Sequence, residues 1–105
     1  MSRKVFFNGK FVDEAKAKIS IYDSALMFGD MVFEMTRSFN HKQFLLEDHI
    51  DRLLMGLKIL RIPIKYSKNQ ILSICNKTVK KNSRYFKKDD EHRLMIDVSR
   101  GLLDI

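Results

Sequence analysis

The chain has 105 residues, a formal net charge of +7 and a hydrophobic fraction of 45%. This length suits one hydrophobic core, and the composition excludes gross disorder. No apolar run approaches the roughly 20 residues that a membrane-spanning helix needs, and no signal-peptide core follows Met1. The single cysteine, Cys75, cannot form an internal disulfide. We therefore expect a reduced, cytoplasmic protein that has no membrane segment.

The positive charge is spread along the chain, and its densest basic stretch runs directly into the acidic residues 89–91. A concentrated basic patch would indicate a nucleic-acid partner, but no zinc-finger, RNA-binding or phosphate-loop pattern accompanies these lysines. A solvated basic face is the simpler interpretation, and we expect no nucleic-acid partner. His41, His49 and His92 lack metal-ligand spacing, so we expect no metal site.

The N-terminal segment predicts a β-hairpin. Asn8-Gly9 separates two apolar runs at 5–7 and 10–12, and this dipeptide is favoured in type I′ turns, where both central residues have positive φ. A polar connector over 13–18 follows. Residues 19–22 alternate between apolar and polar side chains, which predicts a short strand.

A helical turn, a bend and a long strand are predicted next. Asp23 is placed to cap one turn over 24–27, and Gly29 bends the chain. Residues 31–39 are rich in Val, Phe and Thr, which are favoured in strands. Alternation puts Val32, Glu34, Thr36 and Ser38 on one face, and Met31, Phe33, Met35, Arg37 and Phe39 on the other. After a turn at 40–42, a returning strand is expected over 43–46.

Two helices and a final strand complete the prediction. The first helix, over 47–60, has a core stripe at helical spacing: Ile50, Leu53, Leu54, Leu57 and Leu60. Its other side carries Arg52, Met55, Gly56 and Ile59, which indicates a helix covered on two sides. Ser67 and Gln70 form a capping box for a second helix that ends near Asn82. Its buried face would comprise Ile71, Ile74, Cys75, Thr78 and Val79.

A strand over 93–99 would turn Leu94, Ile96 and Val98 inward. The fold class is therefore expected to be α+β, an antiparallel sheet with two helices packed on one face.

Two charged residues in this arrangement need an explanation. The guanidinium of Arg52 matches phosphate oxygens with paired hydrogen bonds and stays charged at any physiological pH. The alternative is a surface arginine that pairs with Asp48 or Asp51. Glu34 lies in an otherwise apolar strand, where a charge needs a partner or a cavity. We expect Glu34 to face a polar pocket or an anchoring arginine.

Two motifs resemble the class IV aminotransferases, pyridoxal-phosphate enzymes of fold type IV. One is the bend 28–30 running into Val32-Phe33-Glu34, and the other is the segment 49–53, which is similar to the family motif H-x-D-R-L. The likeness extends from Phe6 to Gly101. It departs from the common patterns at Met31, where G-D-G is usual, and at 23–25, where D-R-G is usual.

The resemblance implies the domain organisation. Residues 1–105 would form the small N-terminal domain, and the lysine that bonds to pyridoxal 5′-phosphate would lie in a second domain outside this sequence. We therefore expect no catalytic residue within the chain and no activity from it alone. Family members are homodimers, so an exposed apolar face and self-association are also expected.

The resemblance also implies site residues. Arg52 would hold the cofactor phosphate, and Phe28 and Phe33 would line the substrate side of the cofactor. Glu34 and Arg37, in the family's E-x-x-R arrangement, would be substrate-binding, with Arg37 able to receive a carboxylate. The alternatives are that both phenylalanines are ordinary core residues and that Arg37 serves solvent or an interface.

The activity implied is amino transfer between an amino acid and a 2-oxo acid, of the branched-chain or D-amino-acid type. Aminodeoxychorismate lyase chemistry on the same cofactor is one alternative. The other is a non-catalytic domain that folds and dimerises.

Overall fold

The computed structural model describes residues 2–104. The strands are β1 (Lys4–Phe7), β2 (Lys10–Asp13), β3 (Met31–Phe39), β4 (Lys42–Gln43) and β5 (Arg93–Ser99). The α-helices are α1 (Ser24–Phe28), α2 (Leu46–Leu60) and α3 (Lys68–Asn82), and short 3₁₀ turns cover Glu14–Lys16 and Ser83–Tyr85. Within this part of the chain no helix is both long and apolar enough to cross a membrane.

The strands form two antiparallel sheets. β1 pairs with β2, and a three-stranded sheet has the order β4-β3-β5. Helix α2 lies against β3, and α3 contacts both α2 and β1. The α+β class with two main helices is confirmed, although the expected single sheet is divided into two.

The N-terminal hairpin forms as predicted. Asn8 and Gly9 have φ values of 49° and 92°, as a type I′ turn requires, and Phe7 pairs with Lys10 across the turn. Buried Asn82 at the end of α3 holds the hairpin: its side chain accepts from Lys4 N at 2.8 Å and donates to Lys4 O at 2.9 Å.

The predicted strand at 19–22 is wrong. This segment is irregular and ends in a turn in which Asp23 N donates to Ser20 O at 3.1 Å. Ile19 and Ile21 are both exposed. Alternation specifies a strand only where a neighbouring strand pairs with it, and no strand within 2–104 pairs with residues 19–22.

The returning strand is shorter than predicted. A two-residue turn at Asn40 and His41, both with positive φ, leads into β4, which contains only Lys42 and Gln43. Leu45 then adopts the left-handed conformation at φ 54°, and α2 begins at Leu46. The prediction of strand over 43–46 missed this break because apolar residues continue through it.

The core lies between the inner face of the three-stranded sheet and the two long helices. It contains one cluster of buried residues: Leu46, Ile50, Leu53, Leu57, Ile62, Ile71, Cys75 and Leu94. Val32, Leu54, Val79, Ile96 and Val98 pack partly buried against that cluster, so most of the predicted stripes are confirmed. Leu60 is a correction, since it is 44% exposed at the last turn of α2.

The second side of α2 is covered only in part. A Cβ atom on Gly56 would lie 3.1 Å from Val32 Cγ1, so the helix and β3 approach closely at this point. Met55 and Ile59 on the same helix are exposed, contrary to the expectation of cover on two sides. The capping box of α3 is present, with Ser67 Oγ accepting from Gln70 N at 3.2 Å.

Candidate functional site

A buried carboxylate organises the candidate site. Glu34, at the centre of β3, faces α2 and is only 5% exposed. Its Oε1 accepts from His49 Nδ1 at 2.7 Å and from Arg52 Nη2 at 2.7 Å, and its Oε2 accepts from Arg52 Nε at 2.8 Å. Both carboxylate oxygens are thereby satisfied, as a buried charge requires.

The local geometry follows from how α2 lies on β3. Val32 and Glu34 share the inner face of the strand, while Gly56 and Arg52 lie one helical turn apart. Contact of Val32 with Gly56 and of Glu34 with Arg52 means that helix and strand run in opposite directions. The close approach at Gly56 sets the distance at which Arg52 reaches Glu34.

Arg52 is anchored at one edge and open at the other. Its side chain is 72% exposed although its Nε and Nη2 both bond to the carboxylate. The alternative pairing with Asp48 or Asp51 does not occur; Asp51 instead contacts Lys68 at 3.0 Å. The expectation that Glu34 meets an anchoring arginine is confirmed by these contacts.

Glu34 and Arg52 each stabilise the charged form of the other. The hydrogen bonds from Arg52 lower the pKa of Glu34, an effect that outweighs the opposing influence of burial, and His49 lowers it further. The same bonds raise the pKa of Arg52. Glu34 is therefore an anion at neutral pH, and His49 Nδ1 must carry the proton that it shares with the carboxylate.

The predicted substrate residues Phe33 and Arg37 lie on the opposite face of β3. Phe33 is 62% exposed, and Arg37 places its guanidinium carbon 3.9 Å from the ring centre of Phe39. Arg93 of β5 is the register partner of Arg37, so two cationic side chains stand at one end of this outer face. Sequence reasoning missed Arg93 because pairing between β3 and β5 is a tertiary property.

Phe28 stands apart from both groups, at the end of α1 and 72% exposed. The structure therefore does not gather the five predicted residues into one contact set. Glu34 and Arg52 are joined on the inner side, Phe33 and Arg37 share the outer face, and Phe28 precedes the bend. Neither phenylalanine is a core residue among residues 2–104.

A second arginine fixes the bend that follows Phe28. Arg100 Nε donates to Asp30 Oδ2 at 2.5 Å, and its Nη2 donates to Leu60 O at 2.8 Å. Its Nη1 reaches Arg61 O at 3.1 Å. Arg100 thus ties the bend to the carbonyl end of α2, where a cation is favourable.

Metal binding and thiol chemistry are not supported by the geometry of residues 2–104. No group of three or more His, Cys, Asp or Glu side chains within 2–104 is placed to hold a metal ion. Burial raises the pKa of Cys75 to about 11, so its thiol is protonated at neutral pH and is not activated as a nucleophile. The open edge of Arg52 does fit one component of pyridoxal phosphate, since a guanidinium edge matches two phosphate oxygens.

Comparison with known proteins places this geometry in a family. The family model for amino-transferase class IV matches residues 31–105. A putative branched-chain-amino-acid aminotransferase of Methanocaldococcus jannaschii is 39% identical over 102 residues, which is 97% of this chain and 34% of the relative. Aminodeoxychorismate lyase of Bacillus subtilis is 35% identical over 100 residues, covering 95% of this chain and 33% of that protein.

Among solved structures, the branched-chain amino acid aminotransferase of Escherichia coli superposes with a TM-score of 0.83 at 27% identity. The match covers 96% of this chain and 34% of the solved chain. The present chain spans about a third of the length of the curated relatives it matches. Since the family model covers most of the chain, the chain belongs to the amino-transferase class IV family.

Proposed function

We propose that this chain forms the small N-terminal domain of a pyridoxal-phosphate-dependent aminotransferase and that Arg52 holds the phosphate of the cofactor. One observation carries the proposal: Arg52 is locked to buried Glu34 through Nε and Nη2, while most of its side chain remains open to solvent. An arginine that served only to neutralise Glu34 would not need that open edge.

When bound, pyridoxal phosphate supplies the conjugated ring that withdraws electrons during amino transfer. The contribution of this chain is binding and orientation. Arg52 would grip the phosphate with charge-assisted hydrogen bonds, and Glu34 would keep the guanidinium in place. No proton transfer is assigned to the residues described here, and the lysine bond to the cofactor would come from a second domain.

The outer face of β3 is proposed to contribute to the substrate side. Phe33 offers an apolar wall without a hydroxyl group, and Phe28 a second aromatic surface beside the bend, which favours an apolar amino-acid side chain. Arg37, with Arg93 opposite, could attract the substrate carboxylate. Branched-chain and D-amino acids both remain within this proposal, because these groups do not distinguish substrate handedness.

Similarity to aminodeoxychorismate lyase supports a second candidate function on the same cofactor. Both activities would use the same phosphate site, so Arg52 does not separate them. A lyase needs no amino acceptor, whereas amino transfer stops without a 2-oxo acid. Turnover by a gene product that contains residues 1–105, with and without 2-oxo acid, would decide between them.

We also propose that the exposed apolar side chains on the outer face of β3 and β5 mediate homodimer formation. The proposed location is the cytoplasm. Phe33, Met35, Phe39 and Met95 are all exposed around the outer face of β3 and β5. Exposed apolar clusters of this kind mark protein contacts. Sedimentation should show concentration-dependent dimerisation, and a monomer at high concentration would contradict it.

The phosphate role can be tested on the chain itself. Pyridoxal phosphate should shift the nuclear magnetic resonance signals of Arg52 and its neighbours, whereas pyridoxal, which lacks the phosphate, should not. Arg52→Leu should weaken pyridoxal phosphate binding by at least about tenfold, the effect of losing a charge-assisted hydrogen-bond pair.

Arg84→Leu is the matched control, because it removes the same charge from the exposed 3₁₀ turn after α3, a residue with no proposed role in binding. It should leave the phosphate affinity within about twofold of the original, as expected for screened charges that make no contact. Equal loss in the two variants, or equal binding of pyridoxal and pyridoxal phosphate, would contradict the assignment of Arg52.

A further inference from the structure

The hydrogen-bond capacity of Arg52 is only partly used. A guanidinium carries five N–H groups, and Glu34 takes the one on Nε and one on Nη2. The remaining N–H groups belong to Nη1 and Nη2, at the end of the side chain. These two nitrogens form an edge that can bind two oxygens of one anion.

The exposed position of Arg52 makes its anchoring significant. An arginine on a helix surface ordinarily samples many rotamers, and anion binding must then immobilise it at an entropic cost. Glu34 removes much of that cost in advance, because its two bonds fix the rotation of the guanidinium plane. The carboxylate itself is buried, at the centre of β3.

His49 adds a second restraint on the carboxylate. It lies three residues before Arg52, on the same face of α2, and its Nδ1 donates to the oxygen that also accepts from Arg52 Nη2. His49 therefore adds to the restraint that Arg52 places on rotation of the carboxylate about its terminal bond. The shared oxygen thus couples the orientation of the histidine to that of the arginine.

If only charge mattered, Glu34 would weaken phosphate binding at Arg52. A carboxylate beside Arg52 lowers the positive potential that an approaching phosphate experiences. Its presence at the site is therefore explained by geometry and not by attraction. Two opposing consequences of removing Glu34, lost orientation and gained potential, can be separated by experiment.

We propose that Glu34 and His49 are positioning residues that hold the Arg52 guanidinium so that its Nη1–Nη2 edge faces a bound phosphate group. This inference rests on the proposed phosphate role of Arg52. It assigns to Glu34 an action through Arg52 and not direct contact with substrate.

The order of Arg52 can be measured without a ligand. In the original chain, the Nε–H resonance of Arg52 should be sharp and should exchange slowly with water. Glu34→Gln retains the size of the side chain and one acceptor oxygen, and it should accelerate that exchange by at least about tenfold. His49→Gln should produce a smaller acceleration, and it serves as a second variant if Glu34→Gln does not fold.

The affinity for pyridoxal phosphate supplies the second measurement. Glu34→Gln should weaken binding by about threefold to tenfold, since the cost of ordering Arg52 returns. Asp51→Asn is the matched control: it removes a carboxylate adjacent to Arg52 that contacts Lys68 instead. It should leave the Nε–H signal unchanged and the affinity unchanged or slightly higher.

The outcomes separate the two proposals. Unchanged Nε–H exchange in Glu34→Gln, or affinity equal to or above that of the original chain, would overturn the positioning role. Slow Nε–H exchange that depends on Glu34, together with no binding of pyridoxal phosphate by the original chain, would support the positioning of Arg52 and overturn its phosphate role.

Discussion

Two glutamates, one within β3 and one that bonds to its end, are held in contrasting ways. Glu34 is buried and bonds to the cationic Arg52 and to His49. Glu91 is exposed and precedes β5. Its carboxylate accepts from neutral donors: Ser38 Oγ at 2.6 Å, Asn40 N at 2.8 Å and His41 N at 3.1 Å.

The two glutamates differ in whether their donors keep N–H groups available after bonding to the carboxylate. The donors around Glu91 are backbone amides and one hydroxyl, and each is used to fasten the β3–β4 turn to the start of β5. Glu34 accepts from His49 and from Arg52, and the guanidinium of Arg52 retains further N–H groups at the surface. In a structural network the donors are used within the protein, whereas in a binding site some donors stay available to a ligand at the surface. Here the buried carboxylate belongs to the proposed binding site and the exposed carboxylate to the structural network, so exposure of the carboxylate does not mark a binding site.

Loss of the Ser38 hydroxyl should have the largest effect on stability. Ser38 is fully buried, donates to Glu91 and accepts from His92 N at 2.9 Å. Ser38→Ala should lower the free energy of unfolding by about 1–3 kcal/mol, because the half-buried His92 N–H loses its acceptor and Glu91 loses a donor. Urea denaturation would measure it, with exposed Ser73→Ala as control. Pyridoxal phosphate affinity should not change, and a parallel loss of affinity would break the distinction between the networks.

Low pH should have the second-largest effect on stability, through protonation of Glu91. The hydrogen bond from Ser38, with those from the backbone of His41 and Asn40, lowers the pKa of Glu91 to about 2, from an ordinary value of 4.5. A lowered folded-state pKa stabilises the fold above the ordinary value, and this contribution is lost as pH falls toward the folded-state value. The nearby His41 ring adds attraction in the same direction.

Glu91→Gln should therefore be less stable than the original chain at neutral pH, and the difference should narrow between about pH 4.5 and 2. Denaturation at several pH values would show this. Asp89→Asn removes the same charge two residues away and should show no such convergence. A difference that stays constant down to pH 2 would refute the account.

Salt should give the smallest effect and the sharpest contrast. Screening lengths fall from about 10 Å at 0.1 M to about 3 Å at 1 M salt. The phosphate affinity at exposed Arg52 should fall several-fold over that range, since the edge is solvated. The stability lost in Ser38→Ala should hardly vary, because the hydroxyl is neutral and buried. Equal salt dependence of both quantities would remove the distinction.

Much of the fold was predictable where local chemistry decides it. The Asn8-Gly9 turn, the capping box at Ser67 and the alternation along β3 each depend on neighbouring residues, and each is confirmed. The strand expected at 19–22 fails because strand formation depends on a distant partner. The strand predicted over 43–46 ends early because Leu45 adopts a left-handed conformation, which a sequence normally signals with glycine.

The site was predictable in its parts but not in its arrangement. A charge within an apolar strand indicated that Glu34 needed a partner, and that partner is Arg52. The sequence did not show that His49 shares the carboxylate, since donor geometry follows from the packing of α2 on β3. Arg93 and Arg100 were equally hidden, because their neighbours are distant in the chain.

The separate two-stranded sheet has a consequence for how the chain opens. β1 and β2 pair only with each other among the described residues. The Asn82 side chain bonds to both backbone groups of Lys4, and the rings of Phe6 and Phe11 contact Tyr66 and Lys81. Such a unit can detach while the central core persists. Deuterium should therefore enter the backbone amides of β1 and β2 well before those of β3 and β5, and Asn82→Ala should widen that interval.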